Sequence, residues 1–99
     1  MSPASAAQRA KVAGRKCLVC GRVPCDPAHL VARSVGGCDE ADCVVPMCRP
    51  CHRAFDDGRL DLLPHLEPRY RAEIAHAVLH VSLVALLRRL TGERWAPRG

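Results

Sequence analysis

Ninety-nine residues with fifteen Lys and Arg against ten Asp and Glu make a short basic chain, formal charge +5 and pI near 9.0. A chain of this length holds one small domain with a modest core, and only Phe55, Tyr70 and Trp95 supply aromatic bulk; a structural metal is a natural supplement. The apolar stretch around 77–87 is interrupted by His80 and Ser82 and is too short to cross a bilayer, which excludes a membrane span.

Residues 1–14 are rich in Ala and Ser and read as a flexible or loosely helical arm, whose Arg9 and Lys11, with Arg15 and Lys16 beyond, could touch DNA. Met1 to Lys16 contains no apolar signal segment, so the expected setting is reducing and cytoplasmic, where seven cysteines are metal ligands sooner than disulfides. The core is expected over 15–66. It opens on Cys17-Leu18-Val19-Cys20 and closes on Cys48-Arg49-Pro50-Cys51-His52, with 27 residues between Cys20 and Cys48. Two C-x-x-C turns at this separation read as one tetrahedral zinc site, since each turn presents two thiolates. Four thiolates and one divalent cation together subtract two charges and leave +3, still basic.

Between the two turns, Ala28–Arg33 reads as a short strand, Gly36-Gly37 as a turn and Cys43–Met47 as a return strand. Pro50 sits in the first turn of a helix that carries His52 and Asp56 until Gly58 stops it. After a connector at Leu60–His65, a helix is expected from Pro68 to about Leu90, within a C-terminal segment 67–92. In its first half Arg69, Glu73, His76 and His80 share a polar face opposite Ile74, Val78 and Val81. Its second half, Leu83–Leu87, is apolar all round and needs cover from the core or from a second copy, which makes a homodimer an expected partner. His76 and His80, at i and i+4, read as structural or solvated histidines, because no third ligand is apparent and a zincin glutamate is missing between them.

The order C-x-x-C, then Ala28-His29-Leu30 with Arg33-Ser34 and Gly36-Gly37, then Val45-Pro46-Met47-Cys48 leading into Cys51-His52, resembles the zinc-stapled HNH endonucleases over roughly Cys17 to Gly58. The resemblance implies an α+β fold: a ββα-metal core stapled by the zinc of Cys17, Cys20, Cys48 and Cys51, followed here by the long C-terminal helix. It implies a metal-dependent DNA endonuclease in which His29 is the general base, His52 binds the catalytic cation and Asp56, one helical turn on, is a second ligand. The cation would be Mg2+ or Mn2+, with Zn2+ or Ni2+ also admitted by imidazole. Arg33, Arg49 and Arg53 would contact phosphates with little sequence information. The chain departs from the family in two places: Ala28 stands where an acidic metal ligand precedes the base, with Asp26 the nearest carboxylate, and Cys43, beside Asp42, stands where the asparagine that orients the base belongs.

Three thiols remain, Cys25, Cys38 and Cys43. They read first as reduced, buried small side chains; the alternative is a second zinc held by Cys38, Cys43 and one or both of His29 and His52. Besides the nuclease, a catalytically weak zinc-binding DNA module or accessory subunit fits these residues, as does a redox-sensing zinc protein.

Overall fold

Two four-residue strands, β1 (Asp26–His29) and β2 (Val44–Met47), pair antiparallel at the centre of the computed structural model, which describes residues 4–32, 36–66 and 68–92. The register sets Asp26 against Met47, Pro27 against Pro46, Ala28 against Val45 and His29 against Val44. A two-stranded ribbon has only edges, so the two facing prolines need no further ladder donor. The first C-x-x-C turn lies against β2, with Leu18 N–H donating to the Pro46 carbonyl at 3.1 Å.

Helix α1 spans Ala6–Val12 and begins with a capping box: the Ser5 hydroxyl accepts from Gln8 N–H, and the Gln8 amide oxygen accepts from Ser5 N–H. This segment is therefore a docked helix and not the flexible arm expected over 1–14. Gln8 is fully buried and Val12 nearly so. Lys11 is also taken up internally, donating to the carbonyls of Ala41 and Val44 at 2.8 Å each and to Glu73 Oε2 at 2.5 Å, so it is not offered to DNA.

Helix α2, Arg49–Asp56, follows β2 directly, with Pro50 in its first turn and a left-handed Gly58 just past its end. The C-terminal region differs from the single helix expected over 68–90. A 3-10 turn at Pro68–Tyr70 leads into α3 (Arg71–Ala77); the chain then bends through Val78–Val81, and α4 runs from Leu83 to Thr91. The break has a local cause: the Ser82 hydroxyl accepts from Ala85 N–H at 3.1 Å and caps a new helix. Gly92, at φ 65°, closes α4 where a Cβ would lie 2.5 Å from the Gly58 carbonyl oxygen, so only glycine fits.

The core gathers Leu30, Val31, Val45, Met47, Phe55 and Leu62 with Leu86 and Leu90 of α4. Leu83 and Val84 of α4, and Leu79 before it, stay exposed. On α3 Glu73 is buried against Lys11 and His76 is half-buried; of the apolar set Ile74 and Val81 pack against the core, and Val78 is exposed. Among the described residues no helix is long and apolar enough to cross a membrane.

The Lys11–Glu73 pair fastens α1 to α3, and the other carboxylate oxygen, Oε1, is buried with no hydrogen-bond partner among the described residues. Removing one member strands a buried charge. Lys11→Met is expected to destabilise the domain by about 3–5 kcal/mol, and adding Glu73→Leu should recover most of that loss. Urea titrations of the metal-loaded proteins check both; equal losses for the single and double variants would mean the pair is not what holds α1.

Candidate functional site

The sulfurs of Cys17, Cys20, Cys48 and Cys51 lie within 4.8 Å of one another, a group able to hold one metal ion. The spacing works because each turn folds back on itself: Gly21 N–H donates to the Cys17 carbonyl at 2.9 Å, and Cys48 is the N-cap position of α2, so Cys51 lies one turn into that helix. Burial pushes the Cys17 thiol up, but backbone N–H groups at Cys20, Cys48 and Val19 outweigh it and bring the pKa down to about 7. Burial and the neighbouring sulfurs raise the Cys48 thiol above its usual value and push Cys51 well above it. Cys25 stands beside this group without joining it; burial, then the charges of Cys17, Cys48 and Cys20, push it up to about 11.

His29 ends β1, half-buried between α1 and the segment before β2. Its Nε2 lies 3.2 Å from the Cys38 carbonyl oxygen and 3.2 Å from Gln8 Nε2. The carbonyl can only accept and the Gln8 amide nitrogen can only donate, so the two neighbours favour opposite protonation states of Nε2. Gln8 is itself fixed by donation to the carbonyls of Cys38, at 2.7 Å, and Glu40, at 3.0 Å. The Cys38 carbonyl and the Gln8 amide thus both lie against the same imidazole nitrogen.

His52 lies between two carboxylates. Asp26 Oδ2 is 3.4 Å from Nδ1 and Asp56 Oδ2 is 3.2 Å from Nε2. Burial opposes ionisation of Asp26, yet hydrogen bonds from Arg49 and His52 hold its pKa below the usual carboxylate value. Asp26 and Ala28 share one side of β1, and strand alternation turns His29 to the other. Arg89 of α4 joins the two halves: its guanidinium donates to the His29 carbonyl at 2.6 Å, the Leu30 carbonyl at 3.0 Å and Asp56 Oδ1 at 3.0 Å, while stacking 4.4 Å from the centre of the Phe55 ring. Sequence reasoning did not single out Arg89, because its partners lie more than thirty residues away and its Arg-Arg context resembles any solvated helix face. Beside Asp56 a cleft of about 570 Å3 is lined by Leu30, Leu86, Arg88 and Arg89 among others.

A second group is the one that sequence reasoning set aside. Cys38, Cys43, His76 and His80 also present ligand atoms within 4.8 Å of one another. His76 and His80 therefore have the third and fourth partners that local inspection lacked, and the histidines that meet Cys38 and Cys43 are these two, not His29 and His52. The available signal was C-x4-C paired with H-x3-H, separated by 32 residues.

Of the arginines expected at phosphate, Arg49 and Arg53 are exposed on α2, with Arg49 Nε 3.4 Å from Asp26 Oδ2, and Arg33 lies outside the described residues. No protein-family profile, curated protein or solved structure matches the chain.

Proposed function

We propose that this chain is a zinc-stapled, metal-dependent endonuclease of the HNH type, hydrolysing DNA phosphodiester bonds. The observation that carries the reading is His52, one residue past the fourth clustered cysteine and flanked by Asp26 on one ring nitrogen and Asp56 on the other. A carboxylate on Nδ1 orients an imidazole so that Nε2 can bind a cation, the recurrent outer partner of histidine ligands. His52 Nε2 and Asp56 supply two protein donors, a set that suits Mg2+ or Mn2+, ions that keep several of their waters. When bound, the cation would polarise the scissile phosphate and offset charge on the leaving oxygen.

The chain's own residues supply the rest. His29, set beside the Cys38 carbonyl and the Gln8 amide, takes a proton from water. Asp26, two residues before Ala28, contacts His52 Nδ1 and orients that imidazole. Arg49 and Arg53 on α2 meet the phosphate backbone, giving salt-sensitive and weakly sequence-specific binding. The four-cysteine group takes Zn2+, the ion that four thiolates favour.

A second reading, a DNA-binding zinc module without appreciable catalysis, is favoured by one contact: Arg89 occupies Asp56 Oδ1 and competes with a cation for that carboxylate. Incubating zinc-loaded protein with supercoiled plasmid and Mn2+ or Mg2+ separates the two. Cleavage by the parent and a loss of 100-fold or more in His52→Ala, an order-of-magnitude expectation for removing a metal ligand at such a site, supports the nuclease. Plasmid retardation without cleavage under every cation supports the binding module instead.

A further inference from the structure

We propose that Cys38, Cys43, His76 and His80 form a second, closed zinc site, independent of the four-cysteine site and of the nuclease reading. The ligand atoms already converge. Cys38 Sγ is 2.8 Å from Cys43 Sγ and 3.1 Å from His76 Nε2, and His76 Nε2 is 3.1 Å from His80 Nε2. A zinc tetrahedron with bonds of about 2.0–2.3 Å has edges of roughly 3.3–3.8 Å, so binding needs the two sulfurs to part by about 1 Å and the contacts to nitrogen by a few tenths of an ångström. Two thiolates with two imidazoles neutralise a divalent cation and match the softness of zinc better than that of magnesium or calcium.

Each ligand is placed by the fold. Gly37 N–H donates to the Ala32 carbonyl at 3.1 Å, and a Cβ on Gly37 would lie 2.2 Å from the Val31 carbonyl oxygen, so a residue without a side chain delivers Cys38. Cys43 ends the 3-10 turn Ala41–Cys43 and is 1 % exposed. His76 is in the last turn of α3 and His80 one turn further, after the helix has ended, with their rings 4.9 Å apart. Glu40 Oε2 lies 3.6 Å from His76 Nδ1, the outer carboxylate that directs the other nitrogen towards a metal.

The site ties the loop before β2 to the end of α3, on the same loop that Lys11 and Gln8 brace from α1. It accounts for six of the seven cysteines and leaves Cys25 as the lone thiol.

Metal analysis of the full chain purified with zinc under reductant should give about two equivalents per chain. The pair of substitutions His76→Ala and His80→Ala should lower this to one. Cobalt replacement gives a readout that does not depend on a variant folding: the wild-type visible spectrum should contain a two-sulfur, two-nitrogen component beside the four-sulfur one. One equivalent in the wild type, two retained by the double histidine variant, or a cobalt spectrum with four-sulfur bands alone would each overturn the proposal. So would a Cys38–Cys43 disulfide found by mass in reductant-treated protein. A two-zinc protein that never cuts plasmid would overturn the nuclease reading and leave this site standing.

Discussion

Cys48→Ser should leave the chain unfolded at ambient temperature. Three structural tasks meet at this residue: it follows Met47 at the end of β2, it occupies the N-cap position of α2, and its sulfur lies 3.4 Å from that of Cys20. A structural zinc is worth about 10–16 kcal/mol to small zinc domains at neutral pH. A domain of this size has a total stability of about 5–15 kcal/mol, so losing most of the metal's contribution exceeds what the core can absorb. Far-UV circular dichroism should show loss of helix, and a strong chelator should reproduce it in the parent. A variant that melts at the parent's temperature would sink the four-cysteine assignment.

His29→Ala should behave in the opposite way, with cleavage lost and the fold kept. General bases contribute roughly 100- to 10,000-fold, so plasmid nicking should fall to background. The structure tolerates the truncation because β1 is held by other means. Arg89 grips the His29 carbonyl whatever the side chain, and Gln8 retains its bonds to the Cys38 and Glu40 carbonyls. Zinc content and melting temperature should therefore stay near those of the parent. Undiminished cleavage by this variant would exclude His29 as the base.

The strand–strand–helix order was legible in the sequence because its punctuation is local: a C-x-x-C turn, Gly36-Gly37, then Cys48 followed by Pro50. The four-sulfur group was legible for the same reason. What escaped was everything fastened by contacts distant along the chain. Residues 6–12 look like a solvated arm because Gln8 and Lys11 are polar, yet both go inside to satisfy backbone carbonyls of the segment before β2. Hydropathy alone does not reveal that two polar residues of α3 are taken inside, Glu73 by an ion pair and His76 by a contact with the Cys38 sulfur. The split between α3 and α4 rests on one hydroxyl, Ser82, in a run whose composition otherwise favours helix.

The ligands of the two clusters alternate in pairs along the chain: 17 and 20, then 38 and 43, then 48 and 51, then 76 and 80. Neither site is contiguous, and each loop closed by one encloses half of the other. During synthesis the four-sulfur site becomes complete once Cys51 has emerged, while Cys38 and Cys43 wait for histidines about 30 residues behind, which take seconds to arrive. Five thiols, Cys43 the last of them, emerge before Cys48 and Cys51, so Cys38 and Cys43 compete for an ion held by the first turn until the second turn arrives. A ribosome stalled between residues 51 and 76 would display a folded stem carrying one unmatched and oxidisable cysteine pair.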